Sequence, residues 1–154
     1  MAKKPSSRRG ERALAFQFLY GLAFTPVHSE AELERSFKQS PPIIDKDAEA
    51  CAFAWELVNG VWHKYAEIDE IIAGFARNWR LDRMGRVELT LLRLAVYELY
   101  YKADIPPRVT INEALELLRN FGDESARSFI NGILDAAARA LNKDVKAPGP
   151  NPAP

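Results

Sequence analysis

The sequence predicts an all-α fold, a single-domain bundle of about seven helices. Three observations carry this. Apolar residues recur at steps of three and four along most of the chain. No run alternates with period two over a useful length, so no sheet is expected. The segment 85–101 is apolar nearly all round, as a helix must be when other helices surround it. The 154 residues suffice for one domain with a core, and 47% apolar with 27% charged residues is the balance of a soluble globular protein.

Each element follows from local pattern. Residues 1–6 should be a disordered basic arm, 7–142 the helical domain and 143–154 a disordered proline-rich tail. The first helix should span 7–24, with Leu14, Phe18 and Leu22 at four-residue steps and Thr25-Pro26 as its end. A short helix over 29–39 stops at Ser40-Pro41-Pro42, where proline removes a donor. Asp45 or Asp47 can cap the next helix, whose stripe is Cys51, Ala54, Trp55, Val58, Val61, Trp62 and Tyr65. After a break within 65–67, Ile68, Ile71, Ile72 and Phe75 form a fourth helix ending near Arg77, and 80–83 connect it to the central helix 85–101. Ile105-Pro106-Pro107 is an extended loop. Thr110 and Glu113 have the spacing of a capping box for the sixth helix, and Gly122 offers a left-handed stop. Ile130, Ile133, Leu134, Ala137 and Leu141 line the last helix. Gly60 and Gly132, inside apolar helical patterns, should permit close helix contact.

Several function classes are disfavoured. No apolar run approaches the ~20 residues of a membrane span, and the interrupted N-terminus is not a secretory signal. The single cysteine, Cys51, excludes an internal disulfide and fits a cytoplasmic protein. The eight glycines form no phosphate-cradling loop. His28 and His63 lack neighbours at ligand spacing, so no metal is expected. Asp69-Glu70 and Asp123-Glu124 are adjacent pairs that do not face each other on a helix. Neither a catalytic residue nor a cofactor is expected. Net charge is zero, yet Lys3, Lys4, Arg8, Arg9 and Arg12 are opposed only by Glu11, leaving the first twelve residues at about +4 and the remainder at about −4. A basic arm on a mildly acidic body suggests two surfaces for two partners.

Three segments, "RRGERALAFQFLYGLAF", "LLRLAVYELYYKADIPPRV" and the run containing "INEALEL", "NFG" and "FINGILD", resemble the NusB family of bacterial transcription antitermination factors in order and spacing, over roughly residues 8–141. The resemblance implies two helical subbundles around a central helix. It also implies an RNA surface built on the N-terminal arginines Arg8, Arg9 and Arg12. Arg8 and Arg12 lie one turn apart, and arginine forks suit phosphate oxygens. Gly10 and Glu11 interrupt the basic run of other members, and Glu11 should lower the local potential. Tyr20 falls where the family has a tyrosine. Phe75, with Arg77 at the end of its helix, and Phe129 supply rings for base stacking. Ser125 and Arg127 follow the Gly122 turn, where a helix N-terminus favours anions. Glu88, on the central helix, falls in the region that binds the ribosomal protein NusE in the family.

The resulting expectation is a non-catalytic factor that binds single-stranded boxA-like leader RNA of ribosomal RNA operons together with NusE. It would act within a transcription elongation complex that holds other Nus factors. Some family members form homodimers. The alternatives are a helical protein–protein adaptor without RNA binding, and a stand-alone relative of the RNA-binding module of ribosomal RNA methyltransferases.

Overall fold

The computed structural model describes residues 7–76 and 84–142. The described residues form seven α-helices: α1 Arg8–Leu22, α2 Glu30–Gln39, α3 Ala52–His63, α4 Tyr65–Ala76, α5 Arg86–Tyr101, α6 Pro107–Phe121 and α7 Arg127–Leu141. Short 3-10 turns at Glu49–Cys51 and Glu124–Ala126 lead into α3 and α7. No strand occurs among the described residues, and none of their helices is long and apolar enough to cross a membrane.

The all-round apolar pattern of α5 makes it the axis. It packs on α1, α3, α4, α6 and α7, while α1 and α2 gather on α3, and α4 and α6 on α7. Two subbundles therefore share one central helix. Leu91, Leu92, Leu94 and Val96 of α5 are almost fully buried within a single core that also takes in Leu57, Val58, Leu118, Ile130 and Leu134. Each such side chain contributes roughly 1.5–3 kcal/mol.

Helix starts show which local signals the packing respected. Ser7 accepts the Gly10 amide at 2.9 Å. Ser29 accepts the Glu32 amide, and the Glu32 carboxylate reaches back to the His28 amide at 2.7 Å. The capping box expected at Thr110 and Glu113 is absent. α6 starts four residues earlier, at Pro107, because proline's fixed φ suits a first helical position. Thr110 is thus inside the helix and buried. Neither Asp45 nor Asp47 caps α3. The amides of Phe53 and Ala54 donate instead to Oε1 of Glu11, at 2.9 and 3.1 Å. The break between α3 and α4 falls at Lys64.

Two glycine expectations change. Gly122 is extended (φ −123°, ψ −162°), not left-handed. Glycine is needed there for space, since a Cβ would come within 2.8 Å of Leu118 Cδ1 and 3.1 Å of Val87 Cγ1. Gly60 does permit close contact, because a Cβ there would collide with the Tyr97 ring of α5. Gly132 does not, for nothing would meet its Cβ within 4 Å.

Candidate nucleic-acid interface

Helices α1 and α6 run side by side in the same direction. At the start of α1, Arg9 forks onto Glu113 of α6, with Nε to Oε1 at 3.0 Å and Nη2 to Oε2 at 2.9 Å. Seven residues further along α1, the Phe16 ring meets Phe121 of α6 at 5.0 Å between centroids. Tyr20, one more turn on, stacks on Phe16 at 6.1 Å. The seam therefore connects the basic first turn of α1, the half-buried Tyr20 and the Gly122 bend.

Beyond the bend, Asp123 accepts the Ser125 amide at 2.9 Å, and Ser125 itself is exposed. Arg127 forks onto Glu124 at 2.7 and 3.0 Å. Arg8 points the other way from the seam, its guanidinium 4.0 Å above the Phe53 ring of α3.

Arg12 stands apart from the other arginines. Its side chain is 5% exposed, and its fork is closed on Glu98 of α5, with Nε to Oε2 at 2.7 Å and Nη2 to Oε1 at 2.9 Å. The Thr110 hydroxyl donates to the same carboxylate at 3.1 Å. The expectation that Arg12 presents its charge to phosphate is corrected: it is a buried strut joining α1 to α5. Glu11 is corrected as well. Its carboxylate is buried on the α3 N-terminus, where free amides and the helix dipole compensate it. Its carboxylate is engaged by these amides and not by the fork of Arg9, which closes on Glu113.

The remaining expected residues are spread more widely. Phe75 and Phe129 are half-buried and packed against the core. Arg77 lies outside the described residues. Glu88 folds its carboxylate back over the first turn of α5, where a Cβ on Gly85 would strike it, and Oε2 would lie 3.4 Å from a Cβ on Gly122. It therefore adjoins the Gly122 bend, which brings the expected protein-binding carboxylate next to the expected RNA turn.

Charge at this surface is held in pairs. The Arg9 fork holds the Glu113 carboxyl below its usual range. Arg127 does the same to Glu124, and the Ser125 amide does so to Asp123. Such exposed pairs are weak and screened, so a phosphate can take a carboxylate's place on either fork. Sequence reasoning missed Phe121 and Glu113 as members of the seam. Both lay within recognised pieces, "NFG" and "INEALEL", and were readable only as helix-end and capping residues.

A family model described as the NusB family matches residues 9–139. The chain is 61% identical to a transcription antitermination protein NusB from Desulfovibrio desulfuricans, covering 92% of this chain and 90% of the relative. It is 44% identical to the corresponding protein of Myxococcus xanthus, covering 89% and 98%. Among solved structures, NusB of T. maritima superposes with a TM-score of 0.77 at 33% identity, over 94% of this chain and 96% of that one. A complex of the antitermination factors NusB and NusE with double-stranded RNA contains a chain that superposes with a TM-score of 0.73 at 32% identity, over 86% and 96%. A helical axis shared by two subbundles, a parallel α1–α6 seam and this degree of identity agree: the chain belongs to the NusB family.

Proposed function

We propose that this protein is a non-catalytic, cytoplasmic antitermination factor that binds a boxA-like leader RNA together with NusE. The observation that carries this is the α1–α6 seam, which aligns Arg9, Tyr20 and the Gly122 turn along one path. Arg9 and Arg127 are the phosphate contacts along the seam, Arg8 adds an exposed charge on the α3 side of the same first turn, and Tyr20 is the stacking ring. Phe75 and Phe129, half-buried against the core, are secondary contacts for a base. Ser125, exposed just past the Gly122 turn, offers its hydroxyl. Glu88 contributes to the NusE contact from beside the turn. The same assembly includes other Nus factors and elongating polymerase, and a homodimer would compete with it for surface.

The test is equilibrium binding of a boxA-like RNA across salt. Three or four phosphate contacts give a slope of roughly −2 to −3 in log K against log salt. The triple variant R8A/R9A/R127A should weaken binding with little change in thermal midpoint. A flat salt response, or unchanged affinity in the triple variant, makes the protein an adaptor without RNA binding. Since the related complex holds double-stranded RNA, single- and double-stranded forms of one sequence are compared directly; the stacking role of Tyr20 requires preference for the single strand. E88Q should weaken NusE capture, and sedimentation at rising concentration reports self-association.

A further inference from the structure

The ring series of the seam does not stop at Tyr20. The Phe24 ring lies 5.3 Å from Tyr20, edge to face, just past the end of α1. The Arg86 guanidinium, at the first position of α5, lies 5.1 Å from the Phe24 centroid. The order is thus Phe121, Phe16, Tyr20, Phe24, Arg86, with neighbours 5.0–6.1 Å apart. Phe16 is buried beneath the series, whereas Phe24 is 61% exposed, the most exposed large apolar side chain among the described residues. Core packing does not require a phenylalanine so placed.

Arg86 differs from Arg9 and Arg127 in one respect. Those two are each forked onto a glutamate, whereas no carboxylate among the described residues lies within ion-pair distance of Arg86. Its charge is directed at a ring. An open aromatic face beside a guanidinium is the pairing that holds single-stranded nucleic acid, through base stacking and backbone charge together.

We propose that RNA running along the seam continues past Tyr20 onto a further subsite, where a base stacks on the open face of Phe24 and an adjoining phosphate meets Arg86. This rests on the RNA reading above. It adds a ring and a cation that lie outside the arm and the Gly122 turn, and so lengthens the bound RNA at one end.

The experiment measures binding of a nested set of RNAs, the shortest that binds and versions extended by one to three nucleotides at either end. One version carries 2-aminopurine at the added position. Wild type should gain roughly five- to tenfold on extension at one end only, the lower range for a single stacked base. F24A and F24L should lose that gain while binding the shortest RNA within about twofold of wild type. R86Q should reduce the gain and make the salt slope shallower by about 0.7. The 2-aminopurine emission should be quenched by wild type and not by F24A. An end-specific gain that survives F24A and F24L, or no such gain in wild type, refutes the subsite alone. Loss of NusE capture in F24A with the RNA series unchanged refutes it too, in favour of a protein contact. Failure of wild type to bind the shortest RNA refutes the RNA reading and the subsite with it.

Discussion

Replacing Arg12 with alanine should be among the most damaging single changes in the arm helix. Both charges of its pair are within 5% of full burial, and the two forked bonds measure 2.7 and 2.9 Å. Without the guanidinium, Glu98 keeps, among the described residues, only the Thr110 hydroxyl at 3.1 Å. A buried carboxylate stripped of its counter-charge costs about 3–5 kcal/mol, against a total of roughly 5–15 kcal/mol for a domain. For a chain of this size that is a fall in midpoint of roughly 10 °C. Urea and thermal unfolding followed by circular dichroism at 222 nm read it directly, provided unfolding is two-state. The double variant R12M/E98L, which replaces the pair by apolar side chains of similar volume, should recover most of the loss. R9A, which removes a largely exposed guanidinium, should leave the midpoint nearly unmoved. An R12A protein within about 1 kcal/mol of wild type, or a double variant no better than the single one, would refute this account of the pair.

G60A should destabilise by about 1–3 kcal/mol, because the added methyl collides with the Tyr97 ring, whereas G132A, with nothing near it, should stabilise by about 0.4–1 kcal/mol; chemical denaturation of the two side by side decides. E11A removes the acceptor for two α3 amides and should cost about 1–2 kcal/mol, with hydrogen exchange at Phe53 and Ala54 accelerating beyond the general loss of stability. Glu113 titrates below the ordinary 4.5 because Arg9 bonds its charged form. The unfolded chain thus takes up this proton first. The pair's stabilisation is complete above about pH 4.5 and drains away as pH falls through the lowered value. The acid limb of a stability–pH curve should therefore be shallower in E113Q, and an unchanged limb would contradict the ion pair.

The fold was legible because it rests on periodicity, which is local. The near-continuous apolar run of α5 announces a surrounded helix, and Ser7, Ser29 and the Pro41-Pro42 break mark ends that the structure places within a few residues. What was not legible depends on partners far away in the chain. Arg12 reads as one more arginine in a basic cluster, since Glu98 lies 86 positions on. A signal was present: Arg12 precedes Ala15 and Phe16 on the buried stripe of α1, and Glu98 stands between Val96 and Leu99 on the buried side of α5. Two opposite charges on two buried stripes invite pairing. Thr110 and Glu113 mimicked a local cap because their spacing satisfies that motif, but each was recruited by a distant residue, Glu98 and Arg9 respectively. Phe16, Tyr20 and Phe24 recur at four-residue steps, but no spacing rule ties Phe121 to them. Phe121 joins Phe16 only because α1 and α6 lie parallel.

Adjacent residues Glu11 and Arg12 grip different neighbours, the start of α3 and the middle of α5. The first turn of α1 is consequently preorganised, and Arg8 and Arg9 are displayed from a rigid base, not from a loose tether. Conformational entropy that a floppy cationic tail would surrender on meeting a ligand is here already lost when the chain folds. Affinity should therefore be sensitive to changes deep in the protein, far from any phosphate.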